Sequence, residues 1–291
     1  MIILLTNVLY LRSNGIWVST TLCKIFYISA QFTYNMSEQQ PTIRDFDFNL
    51  IWEYFIQFER QGPGCPQATL KALSFIDNLS NESKIADLGC GSGAQTMVLA
   101  QNTKGIITAL DIFPGAINKL KKTTRELGLQ HRVKGIVGSM DDLPFEESQF
   151  DLIWSEGAID SVGFEKCLTY WKSYLKSGGY FAVTNLTWFT SDRPAELEKY
   201  YLNAVPVIGT MGENLSIIQK AGYKPVAAFS LSEDCWTDHY IAPQEAANEV
   251  FLKKYAGNKT VEIFISNLRY EAELYSKYKQ YYGYVFYIGK K

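Results

Sequence analysis

Asp87, Gly89, Gly91 and Gly93 crowd together in the stretch KIADLGCGSGAQT, where a short apolar run leads into the glycines. Glycines at this spacing let the backbone turn sharply and approach a ligand with no Cβ in the way. With Ala94 in the last position, Gly89 to Ala94 satisfies the dinucleotide fingerprint. Asp111, twenty residues beyond Gly91, falls at the end of the next predicted strand, where its carboxylate could accept hydrogen bonds from both hydroxyls of a ribose. These residues point to an adenosine-containing ligand and leave NAD and smaller adenosine cofactors open.

Asp87 separates the two. A dinucleotide turn offers bare N–H groups and a helix N-terminus to a pyrophosphate, and a carboxylate just ahead of the first glycine adds negative charge beside an anionic ligand. S-adenosylmethionine (SAM) carries an ammonium and a sulfonium and no phosphate. The charge at Asp87 favours the methyl donor.

The elements that must position these residues alternate from about residue 67. QATLKALSFIDNL predicts a helix with Leu70, Leu73 and Ile76 on its inner face. SKIADLG, GIITALDI, RVKGIVGS, FDLIWSEG and YFAVTNLTW predict five strands. Between them lie predicted helices over GAQTMVLAQN, FPGAINKLKKTTRELG and GFEKCLTYWKSYLKSGG, the last closed by Gly178-Gly179. This order predicts an α/β fold, a doubly wound, mostly parallel sheet with helices on both faces. Beyond Trp188 come helical segments over RPAELEKYYLNA, ENLSIIQKAGY and APQEAANEVFLKKYAG, and the amphipathic TVEIFISNLRYEAELYSKYK, with strands at KPVAAFSLS and YGYVFYIGKK.

IADLGCGSG, then ALDIFPGAI, VGSMDDLPFEESQFDLIWS and YLKSGGYFAV, resemble in order the motifs of class I SAM-dependent methyltransferases, and within them the ubiquinone/menaquinone-biosynthesis methyltransferases. The resemblance covers residues 67–187 and implies a Rossmann-like seven-stranded sheet whose last strand is antiparallel. It implies that Asp87, Gly89, Gly91 and Gly93 line the methionine side of SAM and that Asp111 binds the ribose. Ile112 would pack on the adenine, Ser139 and Met140 would flank it, Asp141 would accept from its exocyclic amine, and Glu156 would touch the donor near its reacting end. Many relatives carry Asp or Asn where Ser139 stands, which shifts the adenine contacts toward Asp141. Asp141 is equally readable as a capping or solvated loop acid, and Glu156 as a surface acid.

Methyl transfer from a sulfonium needs alignment and exclusion of water, and a general base only when the acceptor must lose a proton. Candidates at the C-terminal ends of the strands are Asp160 in SEGAIDSVGF and His239 in EDCWTDHYIAP, the latter a base with Asp238 or Glu233 nearby. That segment also reads as a polar loop with an aromatic anchor. RQGPGCPQAT, residues 60–69, precedes the core helix and could fold over the donor as a lid with Arg60 or Gln61 at its carboxylate. Tyr275, Tyr278, Tyr281 and Tyr284 read as packing residues, and the Tyr275–Lys279 YxxxK match as chance.

The 291 residues are 47% hydrophobic and 20% charged, with a net charge of -2 and no basic block, so neither nucleic acid nor an anionic membrane is an expected partner. Five scattered cysteines and two histidines predict neither a disulfide framework nor a metal site, and a cytoplasmic location. Residues 1–35 are apolar but interrupted at Arg12-Ser13-Asn14, short of the roughly 18 residues of a membrane span. They read as a non-native or disordered extension ahead of a start at Met36. Residues 36–291 then form one domain, with 36–66 as N-terminal lid, 67–187 as cofactor-binding core and 188–291 as substrate-side insertions and final strands. The expected function is SAM-dependent methylation of a small molecule, with a homodimer left open. The alternatives are an NAD(P)-dependent oxidoreductase and a non-catalytic SAM-binding partner protein.

Overall fold

The structure, a computed structural model, describes residues 46–205 and 207–291, and the backbone of three strands nearer the N-terminus. Contacts divide the chain into two compact units, Met1–Gln40 and Pro41–Lys291. In the first, β1 (Leu4–Leu5), β2 (Val8–Ser13) and β3 (Ile16–Ser19) pair as an antiparallel meander. Whether residues 1–35 are an extension otherwise lies outside the described residues.

The second unit begins with α1 (Phe48–Phe55), whose first turn is capped by the Asp47 carboxylate accepting from the N–H groups of Asn49 and Leu50. Then follow α2 (Pro66–Leu73), β4 (Lys84–Leu88), α3 (Ala94–Asn102), β5 (Ile106–Asp111), α4 (Pro114–Glu126), β6 (Val133–Val137), β7 (Phe150–Ser155), α5 (Phe164–Trp171) and β8 (Leu175–Trp188). The chain continues through α6 (Ala195–Ala204), α7 (Met211–Lys220), β9 (Lys224–Ser230), α8 (Ala242–Lys254), α9 (Lys259–Tyr278) and β10 (Tyr282–Lys290). The seven strands order as β6-β5-β4-β7-β8-β10-β9. β4 to β8 are parallel, and β10 runs antiparallel to both β8 and β9. This is the doubly wound sheet expected from the alternating pattern.

Alternation along the central strands sends side chains to two cores. Ile85, Leu152 and Trp154 pack toward α2, α3 and α4, while Ala86, Ile153 and Phe181 pack toward α5 and α7. A third core, rich in aromatic rings, joins α1, α6, α8 and α9 to the C-terminal end of β8 at Leu186 and Trp188 and to Tyr282 at the start of β10. The ends of β4 and β7 are where the connections diverge to opposite faces, the crevice in which such sheets hold ligands.

Two expectations need correction. In α2 the buried residues are Ala68, Thr69 and Ala72, and Leu70 is exposed. The helix is short and packs against α3, so its small side chains face inward. The helix expected to run to Gly178-Gly179 stops at Trp171, and both glycines lie inside β8. There the backbone finds sheet partners instead: Phe150 opposes Leu175, the Gly178 N–H donates to the Lys291 carbonyl, and the Lys291 N–H donates to that of Gly179. Among the described residues no helix is long and apolar enough to cross a membrane.

Candidate functional site

The glycine turn sits at the C-terminal end of β4. Gly89, Gly91 and Gly93 have φ of +70°, +54° and +96°, which a side chain would strain at each step. The N–H groups of Gly89 and Cys90 donate to the Leu110 carbonyl on β5, and the Gly91 N–H donates to Asp111 Oδ2 at 2.8 Å. Asp111 Oδ1 accepts from the Phe113 N–H at 2.9 Å. One nearly sealed carboxylate therefore fixes the turn after β4 against the turn after β5. Burial raises its pKa against these hydrogen bonds.

Asp87 is fully buried and faces α3. Thr96 Oγ1 donates to it at 2.5 Å and Gln95 Nε2 at 3.3 Å. Burial pushes its carboxyl up to about 7, with the charges of Glu156 and Asp111 adding to the shift and the Thr96 hydrogen bond opposing it. What Asp87 touches is the first turn of α3, and it braces the glycine turn from below.

Glu156, just past β7, is buried and fully engaged. Its Oε2 pairs with Arg60 at 2.9 Å, and its Oε1 accepts from Thr69 Oγ1 at 2.7 Å and Trp154 Nε1 at 2.9 Å. Gln61 lies on the glycine turn: its Oε1 accepts from the Ser92 N–H at 3.0 Å, and its Nε2 donates to Ser92 Oγ and to the carbonyls of Phe55 and Phe58. Gly64 donates to the Cys235 carbonyl, and the thiols of Cys65 and Cys235 meet at 3.0 Å. Residues 60–69 thus cover the turn on one side and touch the far helices on the other.

The other candidates spread around this centre. Ile112 is half exposed at the end of β5. Phe113 beside it stacks between Phe48 and Trp52 of α1, at 4.4 and 4.5 Å between ring centroids. Met140 reaches the turn, its Cε 2.8 Å from where a Cβ on Gly89 would stand. Ser139 donates to the Asp141 carboxylate, which also lies 3.8 Å from Lys166 Nζ. Asp160 Oδ1 accepts from the Leu186 N–H, and Asp160 is hydrogen-bonded to Tyr284.

His239 is not brought to a carboxylate. Glu233 pairs with Lys279, Asp238 accepts from Thr237, and neither bonds His239 among the described residues. The segment around it is helical rather than a loop: Asp234–Trp236 runs through a π turn, Thr237–Ile241, into α8. This wide turn buries Trp236 and Tyr240 in the aromatic core, against Tyr275 and Phe55. The sequence reading missed Thr69, Trp154, Gln95 and Thr96 as partners of the buried acids. It also missed Glu271, which accepts from Tyr240. The available signal was an acid three residues after Leu268 on the inner face of α9.

The model described as "Methyltransferase domain" matches residues 79–227. Over 93 residues the chain is 30% identical to a glycine/sarcosine/dimethylglycine N-methyltransferase of Actinopolyspora halophila, covering 32% of this chain and 16% of that protein. Over 111 residues it is 30% identical to a sarcosine/dimethylglycine N-methyltransferase of Aphanothece halophytica, covering 38% and 40%. The chain therefore spans less than half the length of these curated relatives. A SAM-dependent methyltransferase from Geobacter sulfurreducens, crystallised with S-adenosyl-L-homocysteine, shares the fold: TM-score 0.72 at 18% identity, over 83% of this chain and 97% of that one. The family match covers half of the chain and contains the glycine turn, Asp111 and Glu156, so the chain belongs to the methyltransferase-domain family.

Proposed function

We propose that this protein binds SAM at the Gly89–Gly93 turn and transfers its methyl group to a small-molecule acceptor. The observation that carries this reading is electrostatic. Three carboxylates, Asp87, Asp111 and Glu156, surround the turn, and among the described residues Arg60 on Glu156 is the only cation bonded to any of them. A pyrophosphate would be repelled there, whereas a ligand bearing an ammonium and a sulfonium is attracted. The residues also fit the rest of the donor. Asp111 stands at the strand end expected of a ribose ligand, half-exposed Ile112 offers an apolar platform, and Met140 lines the turn.

The sulfonium supplies an already activated methyl group. The chain's own residues then have to align the acceptor and exclude water, and residues 60–69, locked down by Gln61 on Ser92 and Arg60 on Glu156, serve that end. Two of the matching relatives are named for N-methylation of glycine or its derivatives, which supports a small-molecule acceptor. A closer kinship with the ubiquinone/menaquinone-biosynthesis group rests on the motif phrases within residues 67–187. A homodimer and a cytoplasmic location are part of the same proposal, and nucleic acid is not among its partners.

Calorimetric titration with S-adenosylhomocysteine, NADH and NADPH tests it. Binding of the homocysteine compound alone, with methyl transfer to an acceptor, is expected. Binding of a nicotinamide would overturn the reading, and donor binding without turnover on any acceptor would favour the non-catalytic alternative.

A further inference from the structure

The aromatic core over the end of β8 borders a carboxylate that no cation balances among the described residues. Glu271 Oε2 accepts from the Tyr240 hydroxyl at 3.2 Å, and Tyr201 shares its hydroxyl between the same carboxylate and Tyr282, 3.1 Å away. Tyr200 and Tyr284 also lie within reach of its charge. No lysine or arginine pairs with it among the described residues. The tyrosines at 200, 201, 240 and 282 are buried, and Glu271 on α9 keeps part of its surface accessible beside them. In the same aromatic core the Trp188 indole N–H is buried and has no hydrogen-bond partner.

Two links join this cluster to the glycine turn. Tyr284 is hydrogen-bonded to Asp160, two residues beyond Ala158, whose Cβ lies 2.4 Å from where a Cβ on Gly89 would stand. Tyr54 and Phe55 belong to the same aromatic core, and Gln61 bonds both the Phe55 carbonyl and Ser92. The cluster is therefore a neighbour of the proposed donor site.

Ionising a buried carboxylate without a partner is costly, and a cation arriving beside it removes that cost. Aromatic faces attract cations as well. We propose that the tyrosine cluster around Glu271 is the acceptor subsite, that it takes a small molecule through an amine nitrogen, and that Glu271 receives the proton this nitrogen sheds. The inference rests on the methyltransferase reading and names the acceptor class for it. In the step, an N–H bond of the ammonium breaks and its proton passes to the Glu271 carboxylate. The freed nitrogen lone pair forms the N–C bond while the C–S bond breaks and its electron pair goes to sulfur. Burial holds the Glu271 carboxyl at about 7, where a carboxylate can take up a proton at neutral pH.

The test uses the full chain and two calorimetric stages. The first titrates S-adenosylhomocysteine alone; silence there overturns the methyltransferase reading itself. The second titrates tetramethylammonium, then the similarly sized neutral neopentyl alcohol (2,2-dimethylpropan-1-ol), into chain saturated with S-adenosylhomocysteine. Binding of the cation only is expected, at least tenfold weaker in Glu271→Gln, with the affinity for S-adenosylhomocysteine unchanged. Equal binding of the neutral compound, silence from the cation, or an unaltered Glu271→Gln variant would each overturn the proposal. Should Glu271→Gln fail to fold, the wild-type pH profile decides. The facing groups are Tyr200, Tyr201, Tyr240, Tyr282, Tyr284 and Asp160, and cation affinity should rise about tenfold from pH 6 to pH 8 as Glu271 ionises. A flat profile overturns the assignment.

Discussion

Arg60 and Glu156, 96 residues apart in sequence, form a 2.9 Å ion pair with only 7% and 3% of their side-chain surface exposed. The pair clamps the segment before α2 to the end of β7. Removing one member of such a pair strands the other's charge in the interior, which typically costs about 3–5 kcal/mol. Arg60→Met should lower the urea midpoint by a corresponding amount. Adding Glu156→Gln, which keeps an acceptor for Thr69 and Trp154, should recover part of the loss. A double variant no more stable than the single one would show that the charge is not what matters.

Asp111 holds two backbone N–H groups as well as facing the proposed ribose. Asp111→Ala should weaken S-adenosylhomocysteine binding by about tenfold or more, as expected for loss of hydrogen bonds to a charged acceptor. Asp111→Asn, which retains one acceptor oxygen, should lose less. Calorimetry gives the affinities and thermal melting checks that the fold persists; full affinity in the alanine variant would remove Asp111 from the donor site.

A Cβ at Gly91 would stand 2.3 Å from Gln61 Oε1, at a φ of +54°. Gly91→Ala should therefore cost about 1–2 kcal/mol through backbone strain alone and more through the clash. Combining it with Gln61→Ala should remove the clash and leave the strain, so the two changes will not add. Additive effects on the denaturation midpoint would mean that Gln61 does not rest on the turn.

Glu271 should leave a signature in stability against pH. Burial raises its carboxyl from 4.5 to about 7, so the folded protein keeps this proton after the unfolded chain has released it. Stability is then lost as pH rises from about 4.5 to about 7 and is level above that. Relative to Glu271→Gln, the wild type should lose on the order of 1–3 kcal/mol across this window. Parallel urea titrations from pH 4.5 to pH 8 read the difference, and parallel curves for the two proteins would contradict the shift.

The glycine turn and Asp111 were legible because their signal is local: a positive φ demands glycine, and the strand–turn–helix spacing sets the acid twenty residues on. The ladder of strands was legible for a similar reason, each being a short apolar run with turn residues at its ends. The Arg60–Glu156 pair was not, because nothing near either residue announces a partner across 96 positions. The π turn at Thr237–Ile241 hid a helix by breaking its period with a wide turn, so EDCWTDHY resembled a polar loop. In α2 the inward face was misjudged because packing against α3 selects Ala68 and Ala72 over the larger Leu70.

The segment from Arg60 to Thr69 is a single short stretch with two attachments. Gln61 and Arg60 fasten it over the glycine turn, while Gly64 and Cys65 hold it to Cys235, at the head of the helical run that carries Tyr240. It cannot lift from one without loosening the other. The Gly64 and Ser92 amides should therefore lose their protection from hydrogen exchange together rather than one after the other.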